Sequence, residues 1–170
     1  MKRKFLVSGI LVILSLVVLT MFGFQLNKKP LYDDTAPEFI KLHSDQVVQK
    51  IENSKRGVYY FGFANCPWCQ ELLPYLREEL AAQDSTAYLV DTKSADFSEE
   101  NRQKITDIYI KYLGGDRLYV PFLIVIDSKG ELRVHMGTVE GHDASKERMT
   151  ESQEKEFKNL LRNLIGHSTF

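Results

Sequence analysis

The sequence predicts an α/β fold, a three-layer α/β/α sandwich with helices on both faces of a mixed central sheet. From residue 38 onward, strand-like and helix-like segments alternate, which is typical of a sheet with parallel neighbours. The chain then closes with two strand-like segments joined by a turn and with one amphipathic helix. The apolar run at residues 58–64 predicts a central strand that is buried on both faces.

Residues 1–24 predict a membrane anchor that precedes this fold. Residues 1–4 include three basic side chains, whereas residues 5–24 include no charged side chain. A stretch of about 20 apolar residues matches the hydrocarbon core of a bilayer, and basic residues favour its cytoplasmic side. We therefore expect a single-pass transmembrane helix in the cell membrane, with residues 1–4 in the cytoplasm and the domain outside it.

An uncleaved signal anchor is favoured over a cleaved signal peptide. Residues 21–25 offer no clean small-residue cleavage site, and the apolar segment is longer than the usual core of a signal peptide. Residues 25–37 predict a linker, because Pro30 and Pro37 favour extended backbone before them. Residues 38–170 then suffice for one compact domain but not for two.

The charge and the cysteine count exclude two classes of protein. The chain has 22 basic and 23 acidic residues, so nothing favours nucleic-acid binding. Its two cysteines, Cys66 and Cys69, belong to one motif, so a framework of structural disulfides is excluded. The stability of the domain must come from an ordinary apolar core.

The first half of the domain predicts a short strand at residues 38–42 and a helix from residue 44 to about residue 53. Ser44 or Asp45 fits the N-cap of this helix. Its inner face carries apolar residues at helical spacing: Val47, Val48 and Ile51. The helix after the cysteines repeats the pattern with four leucines: Leu72, Leu73, Leu76 and Leu80. Pro74 lies inside this helix and predicts a kink.

The second half begins with a predicted strand at residues 87–91 and a helix from about residue 98 to residue 113. Ser98 or a neighbour caps this helix, and two glycines follow its end. Its inner stripe of tyrosines and isoleucines favours core packing over a ligand site: Ile105, Ile108, Tyr109 and Tyr112.

An antiparallel hairpin and a last helix close the chain. A strand is predicted at residues 120–126, and Pro121 is confined to its end or to a sheet edge. Residues 131–136 predict the second strand of the hairpin, and residues 138–151 predict a polar surface loop. The last helix, at about residues 152–165, has an apolar face: Phe157, Leu160, Leu161, Leu164 and Ile165.

The two cysteines lie where the central strand meets the following helix. At a helix N-terminus, unpaired backbone N–H groups and the helix dipole stabilise a thiolate over a thiol. Pro67 suits the first helical position, because its ring presets the backbone angle and it has no N–H to satisfy. Cys69 follows Cys66 by one helical turn, close enough to resolve a mixed disulfide. The motif therefore predicts a redox-active dithiol.

These features together resemble the thioredoxin superfamily of thiol–disulfide oxidoreductases. The resemblance rests on the strand followed by Cys66 and Cys69 at the start of a helix, on Pro74 inside that helix, and on Val120-Pro121 before the hairpin. It implies a thioredoxin fold for most of the domain and an enzyme of the protein disulfide reductase, oxidase or isomerase type.

The resemblance also implies roles for single residues. Cys66 would be the nucleophile, and Cys69 would resolve the mixed disulfide. Pro121 would be a cis-proline beside Cys66, and Val120 would offer backbone hydrogen bonds to a bound peptide. Trp68 is expected to be exposed beside Cys66, where it would meet substrate. No cofactor is expected: exported proteins or peptides would be the substrates, and a redox partner protein would supply electrons.

The layout is also similar to that of small membrane-tethered proteins of Gram-positive bacteria, including the bacteriocin transport accessory group. This narrower resemblance rests on the anchor, on residues 63–69, and on the Gly-His-Asp sequence at residues 141–143. It implies a function in the export or maturation of a secreted peptide.

Two positions depart from the family pattern. Tyr60 stands where thioredoxins usually have a buried aspartate that helps accept the proton of the resolving cysteine. Trp68 stands where the strongest oxidants of the family have a histidine, whose positive charge would stabilise the Cys66 thiolate. We therefore expect a reduction potential of roughly −150 to −250 mV, between those of strong oxidants and of thioredoxin.

Other interpretations of the motif remain open. A zinc ion would need the two cysteines and two histidines, chosen from His43, His135, His142 and His167. The cysteines could instead form a structural disulfide. The domain could also be a tethered module that binds an exported peptide without redox turnover.

Three residues near the motif in sequence or in the expected fold have two interpretations. Phe63 and Phe122 could line an apolar contact surface together with Trp68, or they could pack in the core. His142, in the predicted loop, could reach the dithiol or simply lie at the surface.

Overall fold

Strands and helices alternate along the chain, as the sequence predicts. The structure is a computed structural model, and it describes residues 32–166. The strands within these residues are β1 (Phe39–Ile40), β2 (Gly57–Gly62), β3 (Ala87–Asp91), β4 (Phe122–Ile126) and β5 (Leu132–Met136). The helices are α1 (Ser44–Glu52), α2 (Pro67–Ala82), α3 (Glu99–Leu113) and α4 (Glu151–Gly166). The α/β class is therefore confirmed.

The strands form one mixed sheet in the order β1-β3-β2-β4-β5. Strand β3 pairs in parallel with β1 and β2, whereas β4 pairs antiparallel with β2 and β5. Strand β2 is therefore central, and Tyr60 in its middle lies opposite Leu89 and Leu123. Because both edges and both faces of β2 are covered, its sequence can be continuously apolar.

The side chains of β2 alternate between two apolar clusters, one on each face of the sheet. Tyr60 belongs to a cluster with the buried residues of α2 and α4, and we call this side the Tyr60 face. Tyr59 belongs to a cluster with the buried residues of α1 and α3, and we call this side the Tyr59 face. Helices therefore cover both faces of the sheet.

Two details of the predicted helices are wrong. The N-cap of α1 is His43 and not Ser44 or Asp45, because Ser44 is already helical and its hydroxyl donates to the carbonyl of Asp96. Tyr112 does not join the inner stripe of α3, since its side chain is 43% exposed. The predicted cap at Ser98 is confirmed: its hydroxyl oxygen accepts a hydrogen bond from the backbone N–H of Asn101 at 3.2 Å.

The predicted surface loop after β5 is partly buried. Val139, His142 and Met149 in this loop are less than a tenth exposed. The buried carboxylate of Glu71 on α2 accepts a hydrogen bond from the Met149 backbone at 3.0 Å and pairs with Arg148 at 2.8 Å. Polar composition predicts exposure, but here a long-range carboxylate contact ties the loop to α2.

The predicted anchor and most of the predicted linker lie outside the described residues. This concerns residues 1–4, residues 5–24 and the linker up to residue 31. Within residues 32–166, no helix is both long enough and apolar enough to cross a membrane.

Candidate active site

Cys66 lies at the junction between the central strand and α2. It is the N-cap of α2, with extended backbone, and Pro67 occupies the first helical position. The Sγ of Cys66 accepts a hydrogen bond from the backbone N–H of Cys69 at 3.2 Å. Both cysteines are free thiols. The first turn of the helix therefore directs a backbone donor at the Cys66 sulfur, as the motif predicts.

The surroundings of Cys66 favour its thiolate. The thiol of Cys69 donates to the Cys66 sulfur, and the backbone N–H groups of Cys69 and Trp68 add to this effect, while burial opposes it. The result is a pKa of Cys66 lowered from 9.0 to about 7. Near neutral pH a large fraction of Cys66 is therefore the nucleophilic thiolate.

Cys69 has the opposite character. Its side chain is fully buried. Its pKa is raised far above the ordinary value, first because its proton is held in the hydrogen bond to Cys66 and second because burial disfavours a charge. One sulfur of the pair is therefore poised to attack, and the other keeps its proton until the first has reacted.

The fold brings Val120 and Pro121 beside Cys66, 54 residues further along the chain. The Cys66 Sγ lies 3.7 Å from the carbonyl oxygen of Val120, so its thiol form can donate to that oxygen. The Val120–Pro121 peptide bond is cis, as the resemblance implies, and Pro121 comes just before β4. The carbonyl of Pro121 accepts a hydrogen bond from the N–H of Gly137 at 2.9 Å.

A groove of about 690 Å³ runs beside the dithiol. Trp68 is half-buried in its wall, next to Val120. Its surface is mostly apolar, but its other lining residues include polar as well as apolar side chains: Tyr119, Met136, Val139 and Leu160, together with His135, Thr138, Glu140, His142 and Glu156. Neither cysteine is among the lining residues, so the groove meets the dithiol through Trp68 and Val120.

The two phenylalanines considered for the contact surface are not lining residues of this groove. Phe122 is fully buried in the Tyr59-face cluster, so core packing is its role. Phe63 is half-buried, and the ammonium of Lys93 lies 5.3 Å from the centre of its ring.

Of the site prolines, Pro74 lies inside α2, which continues through it to Ala82. The missing N–H of Pro74 leaves α2 one hydrogen bond short at that turn. The kink that we expect there stays a prediction.

Both ring nitrogens of His142 form hydrogen bonds within its own loop. Its Nδ1 forms a 2.7 Å hydrogen bond with the hydroxyl of Thr138, and its Nε2 forms a 3.1 Å hydrogen bond with the carbonyl of Glu147. Both ring nitrogens therefore have partners other than the dithiol.

In the part of the chain from 32 to 166, no three side chains of His, Cys, Asp or Glu form a group that could hold a metal ion. His167 lies beyond that part.

Sequence reasoning missed Tyr60 beside Cys69 and Tyr32 beside Tyr60. The hydroxyl of Tyr60 is close enough to the Cys69 thiol and to the Tyr32 hydroxyl for each to influence its pKa. Tyr60 attracts notice in the sequence only as the position without an aspartate. Tyr32 lies in the predicted linker, and nothing local in the sequence signals that it packs against α2 and β2.

No protein-family model and no curated protein matches this chain. What the site can do therefore follows from its geometry. A thiolate at a helix N-terminus, with a second thiol in contact, can alternate between a dithiol and a disulfide.

Proposed function

We propose that this protein is a thiol–disulfide oxidoreductase with a thioredoxin fold, and that the Cys66–Cys69 dithiol is its active centre. One observation carries the proposal: the Cys66 sulfur caps α2 and accepts a hydrogen bond from the backbone N–H of Cys69 at 3.2 Å, whereas the Cys69 thiol is fully buried. The pKa of Cys66 is accordingly lowered and that of Cys69 raised. A structural disulfide or an inert pair of buried thiols has no need of a stabilised thiolate.

The architecture supports the thioredoxin fold. The cysteine pair follows the central strand of a mixed five-stranded sheet, and α2 packs with α4 on one face while α1 and α3 cover the other. The segment at Val120 and Pro121 meets Cys66 from the adjacent strand. This placement is what the resemblance in the sequence implies.

The reaction proceeds in two exchange steps. The Cys66 thiolate attacks one sulfur of a substrate disulfide, a new S–S bond forms, and the other substrate sulfur leaves with the electron pair. Cys69 then attacks the Cys66 sulfur, releases the second substrate sulfur, and closes the Cys66–Cys69 disulfide. One substrate sulfur takes the proton of Cys69, and the other takes from solvent the proton that Cys66 gave up when its thiolate formed. The substrate is thereby reduced by two electrons, and the enzyme is oxidised. In reverse, the same steps introduce a disulfide.

The groove supplies the substrate contacts. Trp68 offers a flat apolar wall, and Val120 offers backbone groups beside the reacting sulfur. Pro121 shapes the same edge and keeps its own nitrogen from donating. An extended segment of an exported protein or peptide fits these contacts. The chain needs no cofactor, because a partner protein exchanges electrons with the dithiol.

The proposed location is the outer side of the cell membrane, with residues 5–24 as the anchor. The narrower proposal is that the enzyme assists the export or maturation of a secreted peptide, as in the bacteriocin transport accessory group. The second candidate function is a tethered peptide-binding module without redox turnover, and the apolar groove of about 690 Å³ favours it.

The deciding experiment is the equilibrium of the full-length protein, in detergent, with glutathione buffers of stepped potential. We expect reversible oxidation of Cys66 and Cys69 with a potential of roughly −150 to −250 mV. Cys66→Ser should abolish exchange, and Cys69→Ser should stop at a mixed disulfide with glutathione. If the wild-type dithiol shows no reversible exchange, the enzyme is excluded and the binding module takes its place.

A further inference from the structure

Two tyrosine hydroxyls are buried together with the resolving cysteine. Tyr60 is fully buried at the centre of β2, in the cluster that also includes the apolar residues of α2. Tyr32 packs against the same cluster. The hydroxyl of Tyr60 influences both the thiol of Cys69 and the hydroxyl of Tyr32, so the three polar groups form a row inside an apolar core.

In the dithiol form, neither the Tyr60 nor the Tyr32 hydroxyl completes a hydrogen bond of ordinary length and angle among residues 32–166. A buried hydroxyl without a partner destabilises a fold, and phenylalanine would avoid that penalty at the same volume. The hydroxyls therefore point to a use in another state of the dithiol.

The backbone of β2 makes room for the Tyr60 ring. A Cβ at Gly62 would lie 2.3 Å from the Tyr60 oxygen and 2.6 Å from the ring carbon that bears it. Such distances are far inside van der Waals contact. Glycine at this position is therefore what allows the hydroxyl to lie beside α2 and Cys69.

Two carboxylates near these tyrosines influence the pKa of Tyr32. The carboxylates of Asp34 and Asp91 raise the pKa of Tyr32, after burial, which is the largest cause. At Cys69, the main influences in the described part of the chain are the Cys66 sulfur, burial, the Phe63 backbone and Tyr60. Of these, the Tyr60 hydroxyl is the side-chain group that favours a charge on Cys69, although its hydrogen bond is not completed in the dithiol form, and no carboxylate is among them.

We propose that Tyr60 is a catalytic residue of the resolving step: its hydroxyl donates a hydrogen bond to the Cys69 sulfur as that sulfur loses its proton. Tyr32 is the positioning residue. In the dithiol form the contact favours donation from the Tyr60 hydroxyl to the Tyr32 oxygen. In the mixed disulfide the Tyr32 hydroxyl donates to the Tyr60 oxygen instead, which leaves the Tyr60 proton free for Cys69. This inference rests on the proposed function. Thioredoxins promote the deprotonation of the resolving cysteine with a buried carboxylate that accepts the proton. Here two tyrosine hydroxyls would stabilise the resulting thiolate instead.

The hydrogen bond from Tyr60 to Cys69 forms only after Cys66 has reacted with the substrate. In the dithiol form, Cys69 donates its proton to Cys66, which stabilises the Cys66 thiolate. In the mixed disulfide, Cys66 carries no charge, and Cys69 must become the nucleophile. The Cys69–Cys66 bond then forms, the bond from Cys66 to the substrate sulfur breaks, and the proton of Cys69 leaves with the substrate thiolate. Tyr60 keeps its own proton throughout, since burial holds its pKa well above 10.0.

The test separates the two steps in time. Reduced full-length protein in detergent is mixed with one equivalent of dithionitrobenzoate, a disulfide that releases a coloured thiolate at each exchange. The first release reports the attack by Cys66, and the second reports the attack by Cys69. The rates of both releases are measured as a function of pH in a stopped-flow instrument.

Tyr60→Phe should slow the second release about tenfold and raise its pH midpoint by about one unit, because a hydrogen bond to a charged sulfur is lost. Its first release should stay within about twofold of the wild-type rate. Tyr32→Phe should slow only the second release, by about threefold, since it acts through Tyr60. A purely structural role would not move this pH midpoint.

The matched control is Tyr59→Phe. Tyr59 is equally buried on the same strand, but its hydroxyl donates to the carbonyl of Lys55 at 2.5 Å on the other face of the sheet. This variant loses a real hydrogen bond, yet both releases should keep their rates and pH midpoints.

The outcomes distinguish this inference from the proposed function. If Tyr60→Phe leaves the rate and midpoint of the second release unchanged, the inference is overturned while the enzyme remains. If the wild-type protein gives no second release, the proposed two-cysteine reaction itself fails. Should Tyr60→Phe lose its fold, Tyr32→Phe decides: an unchanged second release then overturns the inference.

Discussion

Tyr59 and Tyr60 are neighbours on the central strand, and they show what separates the two faces of the sheet. Both side chains are fully buried. The Tyr59 hydroxyl donates to Lys55, and its ring stacks on Tyr88 at 5.4 Å between centres. The Tyr60 hydroxyl lies beside Cys69 without a completed hydrogen bond in the described residues. The Tyr59 hydroxyl therefore has its partner, whereas the Tyr60 hydroxyl is an unused donor next to the buried thiol of Cys69.

Stability and chemistry are divided between the two faces of the sheet. A fully satisfied polar group stabilises a unique packing, and an unsatisfied one is tolerated where it has another use. The two faces share one strand, so substitutions at equivalent places on β2 can test this division directly.

The largest effect should appear in the pH dependence of Cys66, whose sulfur contacts the buried Cys69 thiol. Because the pKa of Cys66 is about 7, its thiolate is lost as the pH falls below that value. The alkylation rate by iodoacetamide should therefore drop about 50-fold between about pH 7 and about pH 5. The rate is measured by mass spectrometry of the reduced full-length protein.

Cys69→Ala provides the control for this profile. It removes the thiol that donates to Cys66, which is the largest cause of the lowered pKa. The midpoint of the alkylation profile should therefore move up from about 7. A midpoint that stays in place would mean that the backbone N–H groups alone stabilise the thiolate, and the contrast between the two cysteines would lose its basis.

The next effect concerns the two glycines of β2. Gly62→Ala should destabilise the domain by about 2 kcal/mol, because its Cβ would lie 2.3 Å from the Tyr60 oxygen. Gly57→Ala on the same strand meets Tyr59 only at 3.3 Å, so it should cost less than about 1 kcal/mol. Urea unfolding of the reduced protein measures both.

A double variant sharpens this prediction. Tyr60→Phe in the Gly62→Ala background removes the nearest atom but leaves the ring carbon at 2.6 Å, so stability should return only in part. Equal destabilisation by the two glycine substitutions would show that the Tyr60 ring is no more confined than the Tyr59 ring.

The third effect is smaller and concerns the two hydroxyls. Tyr59→Phe should destabilise the reduced protein by about 1 kcal/mol, the net value of one hydrogen bond. Tyr60→Phe should leave it unchanged or make it more stable, because its hydroxyl is buried without a completed bond. The comparison fails if urea unfolding gives the same loss for both variants.

The smallest effect should come from surface charge on the Tyr59 face. Lys104 on α3 pairs with Glu52 at 3.2 Å and with Glu100 at 3.1 Å, and its ammonium is exposed to solvent. Exposed ion pairs contribute little and are screened by salt. Lys104→Met should therefore hardly move the midpoint of urea unfolding at high salt. A clear loss of stability that persists at high salt would mean that the Lys104 side chain stabilises this face by packing, because salt screens exposed ion pairs.

Periodic segments of the domain were predictable, and single contacts at their ends were less so. The apolar run of β2 and the spacing in α2, α3 and α4 place these elements within a few residues of the observed bounds. The Ser98 cap was predictable because it involves a residue three positions away. His43 was not predictable as a cap, since Ser44 turns to Asp96, 52 residues further along the chain.

The residues of the candidate site were also predictable only in part. A thiol at a helix N-terminus follows from adjacent residues, so Cys66, Pro67 and Cys69 could be selected from the motif. Val120 and Pro121 came from a family resemblance and not from local physics. The partial burial of the loop around His142 was missed, because composition predicts exposure and says nothing of Glu71 on α2.

The sequence by itself determined the alternation of strands and helices, the central position of β2, and the start of α2 at the dithiol. These depend on side-chain periodicity and on hydrogen bonds between residues within one or two turns of each other. Only the tertiary structure decided that the Val120 carbonyl lies 3.7 Å from Cys66, that the Tyr60 hydroxyl lies beside Cys69, and that the Tyr32 hydroxyl lies beside Tyr60. Such contacts join residues far apart in the chain. They are set by the close packing of the whole core, which local sequence patterns do not specify.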